Sequence, residues 1–162
     1  MKVIEQLKAL SEEKFLAVYE ALAQQGLGPL DGEVAKAVKF RPHAIRKLPM
    51  AKRARKARSI LISTANAELC YELLGSYLIQ AHKELVTGFL DATGVTHEEG
   101  MIEDLDDNQP DAGKLQATVA ELDEKFDPED VTIYLALAAE QWPAVAGLEE
   151  LWRSRLPSAV SS

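Results

Sequence analysis

The sequence contains a single cysteine, Cys70, and few aromatic residues, with two Trp, four Tyr and four Phe in 162 positions. One cysteine cannot form an intramolecular disulfide, so a small fold held together by disulfides is excluded. The neighbours of Cys70 in AELCYELL are apolar at helical spacing, which predicts a buried thiol in a reducing compartment. The core must be aliphatic, and a hydrophobic fraction of 47% supplies enough side chains for it.

Long hydrophobic runs are also missing from the sequence. No stretch has the roughly 18 uncharged apolar residues that a membrane-spanning helix needs, and the amino-terminal MKVIEQLKALSEEK lacks the apolar run of a signal peptide. We therefore expect a soluble, cytoplasmic protein with no membrane contact. The length fits one domain, and we predict a single helical domain over 1–156 with a frayed tail at 157–162.

The common signatures of catalytic and cofactor sites do not occur. We find no phosphate-binding glycine loop, no GxSxG, no HExxH and no CxxC. The acidic stretch that begins at Asp104 does not match a calcium-binding loop. Gln109 occupies the position where that loop needs glycine, and Leu115 occupies the position of its bidentate glutamate. The three histidines, His43, His82 and His97, have no spacing typical of a metal or catalytic site. We predict no catalytic, metal or cofactor residues, while an enzyme of unrecognised type stays open.

Apolar residues recur at spacings of three and four along the chain, which is typical of helices, and no stretch alternates like a strand. The predicted fold is all-α, an irregular bundle of about six or seven helices. Helix breaks are expected at Ser11, near 63–66 and around 80–83. A short helix is predicted over 31–40, and Gly94 should end a helix in the left-handed conformation.

The carboxyl-terminal third contains the clearest helix signals. We predict a loop over 94–111 and a helix over about 112–126. In DPED, Asp127 is the expected N-cap, because its carboxylate can accept hydrogen bonds from the first free N–H groups and Pro follows at the first helical position. The last helix is predicted to begin at Pro143 and to reach about Arg155.

The helical stripes also predict which side chains form the core. Ten apolar residues lie on the inner faces, with Cys70 buried among them. They are Leu7, Phe15, Leu69, Leu73, Leu85, Phe89, Leu115, Leu122, Tyr134 and Leu148.

Charge is distributed unevenly along the chain. Residues 1–81 hold 13 Lys and Arg against 8 Asp and Glu, a net +5, whereas 82–162 hold 5 against 18, a net −13. Eight cations and no acid lie in 41–58, and seven acids and no cation lie in 98–111. Such asymmetry indicates interaction with a partner rather than a particular fold.

The basic run can be placed on a helical wheel, where Met50, Ala54, Ala57 and Leu61 form a narrow packing stripe and the cations occupy the remaining arc. We predict that this helix, residues 50–62, docks by that stripe. Its cations are predicted to face carboxylates of the carboxyl-terminal half, within the chain or across a dimer.

The function predicted from these patterns is a protein-interaction or regulatory module without catalysis, which binds a protein partner or self-associates. The alternative is a helical nucleic-acid-binding protein that uses the basic run. The candidate basic face consists of Arg41, Arg46, Lys52, Arg53, Arg55, Lys56 and Arg58. The candidate acidic loop surface consists of Glu103, Asp104, Asp106 and Asp107.

Overall fold

The computed structural model of the chain describes residues 2–23, 49–65 and 67–156. These residues form eight α-helices and no β-strand, which confirms the all-α prediction. None of the described helices is long and apolar enough to cross a membrane. The helix predicted over 31–40 and the tail predicted at 157–162 lie outside the described residues.

Where the structure describes the connection between two helices, that connection is short, except for the loop over residues 94–111. A 3₁₀ turn, Ala112–Lys114, ends that loop. In chain order the helices are α1 (Lys2–Ala9), α2 (Glu12–Ala23), α3 (Met50–Thr64), α4 (Ala67–Ala81), α5 (Lys83–Thr93), α6 (Leu115–Lys125), α7 (Pro128–Gln141) and α8 (Leu148–Arg153).

The chain divides into two compact units. The amino-terminal unit comprises Val3–Leu73, and the carboxyl-terminal unit comprises Leu74–Ser162. In the amino-terminal unit α2 packs on α3; in the carboxyl-terminal unit α7 packs on α6 and α8, and α5 packs on α6. The expectation of a single domain stays a prediction.

The three predicted helix breaks are present, and so is the predicted helix end at Gly94. The Ser11 hydroxyl accepts a hydrogen bond from the Lys14 amide at 3.1 Å, so it caps the start of α2. Ala65 ends α3 with φ of 50°, within the predicted 63–66 segment. His82 is the single non-helical residue between α4 and α5, and Gly94 ends α5 with φ of 81°.

The predicted N-cap at Asp127 is also confirmed. The carboxylate of Asp127 accepts a hydrogen bond from the Glu129 amide at 3.0 Å, and Pro128 begins α7. The last helix, however, is shorter than predicted. It begins only at Leu148, because Gly147 adopts φ of 84° and interrupts the chain after the turn that follows Pro143.

The predicted core is confirmed with one exception. Leu69 is only half-buried, because it lies at the edge of the buried stripe of α4, which runs through Cys70, Leu74 and Leu78. The other predicted core side chains are buried, and Cys70 is fully buried.

Candidate functional site

The basic run forms the first turns of α3, as predicted. Ala54, Ala57 and Leu61 are buried and form the packing stripe, and Met50 at its start is half-buried. Pro49 precedes the first turn, where its missing N–H leaves no helical hydrogen bond unmade. The helix is therefore docked within the amino-terminal unit by small side chains, which bring its backbone close to the neighbouring helices.

Arg58 is the cation of the run with the most specific contacts. Its Nη2 donates hydrogen bonds to the carbonyl oxygens of Leu7 at 3.0 Å and Lys8 at 3.1 Å, and to that of Leu10. The last carbonyl groups of a helix have no helical partner, so Arg58 satisfies the carboxyl end of α1. Its guanidinium also lies over the Phe15 ring, 5.6 Å from the ring centre.

The other cations of α3 differ in exposure. Arg53 lies over the ring of Tyr19 at 5.6 Å, a cation–π geometry that joins α3 to α2. Arg55 is about two-thirds exposed, and its Nε lies 3.9 Å from a carboxylate oxygen of Glu12. Lys52 is exposed and Lys56 is half-buried.

The rest of the basic face, Arg41 and Arg46, lies outside the described residues. Within the described part, Arg53 contacts Tyr19, and Arg58 contacts Leu7 and Phe15, all of which belong to the amino-terminal unit. Pairing of the basic run with the acidic loop stays a prediction.

A groove of about 570 Å³ runs along α3 in the amino-terminal unit, between Ala51 and Ser63, with the first turn of α2 as its other wall. Its floor is apolar, formed by Phe15, Leu16 and Ala54 together with small residues of α3. Its rim carries both signs of charge: Glu12 and Glu13 on the α2 side, Arg55 and Arg58 on the α3 side.

The acidic loop, residues 98–111, begins with a tight turn. Glu98 and Met101 exchange two backbone hydrogen bonds of 2.9 Å, and the two residues between them, Glu99 and Gly100, have φ of 51° and 91°. Positive φ at both central positions defines a type I′ turn, which glycine adopts without strain. A Cβ at position 100 would also lie 3.3 Å from the Ile79 side chain, so the turn sits close against α4.

The centre of the acidic loop is organised by Asp104. Its carboxylate accepts hydrogen bonds from the amides of Asp106 and Asp107, both at 3.2 Å, and its carbonyl accepts one from the Asn108 amide at 3.0 Å. Trp142 donates its indole N–H to the Leu105 carbonyl at 3.1 Å and anchors the loop to the end of α7.

The carboxylates of this loop are exposed and crowded. Glu103, Asp104, Asp106 and Asp107 are all exposed. A hydrogen bond to Asp104 and the charge of its carboxylate raise the pKa of Asp107 above its usual value. The described residues contain no group of three or more His, Cys, Asp or Glu arranged to hold a metal ion.

Exposed apolar side chains lie beside these carboxylates. Among the described residues, the large hydrophobic side chains that are exposed are Ile79 at 37%, Met101 at 70% and Leu105 at 38%. Two of the three belong to the acidic loop, and the third lies next to its first turn. The acidic loop therefore exposes apolar side chains beside its carboxylates.

A polar cluster that the sequence did not reveal lies in the carboxyl-terminal unit. Asp130, 1% exposed, accepts a hydrogen bond from the Tyr77 hydroxyl at 2.8 Å and lies 3.2 Å from Nε2 of His82. The same His82 nitrogen lies 3.0 Å from the Tyr77 oxygen. Tyr77 donates its single hydroxyl proton to Asp130. In the contact between Tyr77 and His82, Nε2 of His82 is therefore the hydrogen-bond donor and the Tyr77 oxygen is the acceptor.

This cluster ties the junction of α4 and α5 to the first turn of α7. Burial raises the pKa of Tyr77 well above its usual value, and the hydrogen bond to Asp130 raises it further. The contacts of the cluster are those of a structural cross-link between helices.

His97 holds the first turn of the acidic loop in place. Its Nε2 lies 2.7 Å from the Asp91 carboxylate, and its Nδ1 accepts a hydrogen bond from the Gly100 amide at 3.0 Å. Because Nδ1 accepts a hydrogen bond, Nε2 carries the ring proton and donates a hydrogen bond to the Asp91 carboxylate. His97 therefore positions the loop relative to α5.

The chain matches no protein-family model, no curated protein and no solved structure.

Proposed function

We propose that this chain is a cytoplasmic protein-interaction module whose acidic loop binds a cationic, amphipathic segment of a partner protein. The observation that carries the proposal is the exposure of Met101 and Leu105 within a loop of seven acids and no cation. A partner that offers cations alone would leave the apolar groups in water. A segment that has both cationic and apolar side chains can pair with the carboxylates and also cover Met101 and Leu105.

The internal contacts of the loop support this proposal. Asp104 accepts two amide hydrogen bonds, Trp142 holds the Leu105 carbonyl, and His97 holds the Gly100 amide. Ordering a flexible loop on binding costs conformational entropy, and a loop that is already ordered avoids most of that cost. The backbone that carries the carboxylates is therefore held in one arrangement before a partner binds.

The electrostatics of the loop support it as well. Asp104, Asp106 and Asp107 are exposed carboxylates within four positions of the chain, so the loop carries like charges at close range. A hydrogen bond to Asp104 and the charge of its carboxylate raise the pKa of Asp107. A cationic partner relieves that repulsion, and the relief is screened by salt over about 10 Å at 0.1 M. Binding is expected to be fast and to weaken as salt is added.

A peptide titration tests the proposal. The probe is a labelled synthetic peptide of residues 41–58, which combines eight cations with apolar residues. Fluorescence anisotropy should show binding at low salt and its loss at high salt. Replacing Asp104, Asp106 and Asp107 with Lys should abolish binding, and Met101→Ser should weaken it at unchanged charge.

The matched control makes the same change of charge elsewhere, by replacing the exposed Glu68, Glu72 and Glu124 with Lys. It should retain most of the binding. Equal loss in both triple variants would mean that only net charge matters, and the loop would not be the binding surface. Absence of peptide binding to the unaltered protein at low salt would also overturn the proposal.

Binding of nucleic acid can be measured by the same anisotropy assay, with duplex DNA as the probe. A basic face that contacts four or five phosphates predicts that log affinity for duplex DNA falls with log salt at a slope of roughly −4. The engagement of Arg53 and Arg58 within their own unit favours protein over nucleic acid. DNA binding that persists when Lys52 and Arg55 are replaced by Ala would show that these two exposed cations of α3 do not carry it.

A further inference from the structure

We propose that the groove along α3 is a self-association surface, which a second copy of this chain covers with its own groove about a two-fold axis. The proposal concerns the amino-terminal unit and is independent of the acidic loop. It rests on the position of two opposite charges across the groove, on its apolar floor and on the small residues that line it.

The charges lie at one level along the groove. Arg55 on the α3 wall and Glu12 on the α2 wall approach within 3.9 Å, and Glu13 follows Glu12 on the same turn. A two-fold axis that runs along the groove places the α2 wall of one copy over the α3 wall of the other at that same level. Each Arg55 then faces the Glu12 of the second copy, and the contact occurs twice.

The rim of the groove carries charges of both signs, which favours a second copy of the chain as the molecule that binds there. A purely cationic partner would be attracted by Glu12 and Glu13 but repelled by Arg55, and a purely anionic one would meet the reverse. A second copy carries the complementary order of charges by symmetry. The Arg55–Glu12 pair within one chain is long and solvent-exposed, so it holds Arg55 only weakly.

The apolar surface of the groove provides the contact area. Leu16 and Ile62 are half-buried in the single chain, and Ala51 is exposed. Ala51, Ser59 and Ser63 project little from α3, so another helix can approach its backbone closely. The wall from Ala51 to Ser63 is about 18 Å long at 1.5 Å per residue, which limits the area to the lower end of specific interfaces.

Sedimentation equilibrium of the full chain tests self-association directly. A small interface predicts a reversible monomer–dimer equilibrium, with dimer accumulating over concentrations of about 10 to 500 µM. Ile62→Ser should shift the equilibrium at least about tenfold toward monomer. An unaltered chain that stays monomeric throughout this range would overturn the proposal.

Complementary charge reversal identifies the surface. Glu12→Arg alone and Arg55→Glu alone each place like charges across the two-fold axis, so each variant should be monomeric. In an equal mixture, the arginine introduced in the first variant meets the glutamate introduced in the second. The native Arg55 of the first variant meets the native Glu12 of the second. The mixture should therefore form a heterodimer about as well as the unaltered chain.

Two outcomes would show that the groove is not the self-association surface. If the mixture stays monomeric while the unaltered chain dimerises, the surface lies elsewhere. If the loop variant with Asp104, Asp106 and Asp107 replaced by Lys loses dimerisation, the acidic loop is the self-association surface instead. Circular dichroism of each variant establishes that it is folded, so a loss of dimer cannot be a loss of structure.

Discussion

Nη2 of Arg58 in α3 donates a hydrogen bond to the carbonyl oxygen of Leu7 in α1 at 3.0 Å, across 51 residues of sequence. This is one of three carbonyl contacts that the same guanidinium makes at the carboxyl end of α1. A cation is also favourable there because the carboxyl end of a helix carries partial negative charge. One member of the basic run therefore has a structural role.

Arg58→Ala is expected to lower the free energy of unfolding by about 1 to 3 kcal/mol, because the carbonyl groups lose a charged donor. Arg58→Lys should recover only part of this, since an ammonium group cannot reproduce the planar guanidinium. Urea unfolding measures both. Arg55→Ala is the matched control and should stay within about 0.5 kcal/mol, because Arg55 is exposed. Equal effects of the two Ala variants would contradict the role of Arg58.

Helix boundaries could be predicted where the signal is local. Ser11, Gly94 and Asp127 each act on backbone groups within a few residues of themselves, so their effect can be inferred from the sequence around them. The predicted start of the last helix at Pro143 was wrong. The helix begins only after Gly147, which adopts the left-handed conformation. The glycine that precedes LEEL in the sequence is the local signal for this start.

The long-range contacts could not be predicted in the same way. Arg58 binds backbone carbonyl groups, which every residue possesses, so no sequence pattern marks its partner. The acidic residue nearest to His82 in the sequence is Glu84, whereas its actual partner Asp130 lies far along the chain on another helix. Such pairs arise from the packing of helices, and a single sequence carries no record of that packing.

The core prediction can be tested within α4. Leu73 is 5% exposed and Leu69 is half-buried. Leu73→Ala should lower the free energy of unfolding by about 2 to 5 kcal/mol through lost burial and a cavity. Leu69→Ala should cost clearly less, because the site is partly hydrated already. Urea unfolding measures the free energy of unfolding of both variants. A larger loss in Leu69→Ala than in Leu73→Ala would mean that the inner face of α4 is misassigned.

The thiol of Cys70 should be unreactive in the folded protein. Burial raises its pKa from 9.0 to about 11. At pH 8 the thiolate fraction then falls by about 100-fold relative to an unperturbed thiol, and the thiolate is the reactive form. Thiol titration with a chromogenic disulfide should be at least that much slower in buffer than in concentrated urea. Equal rates in the two conditions would mean that Cys70 is accessible.

The Tyr77–Asp130 hydrogen bond predicts a dependence of stability on alkaline pH. Burial raises the pKa of Tyr77 above the unperturbed value of 10.0. Its contribution to stability is therefore complete below about pH 10 and is lost as pH rises toward the folded pKa, because only the unfolded chain releases the proton readily. Tyr77→Phe should cost about 1 to 3 kcal/mol at pH 7, since buried Asp130 loses a donor. It should also flatten the decline above pH 10 in urea melts, and identical declines would show that Tyr77 ionises freely.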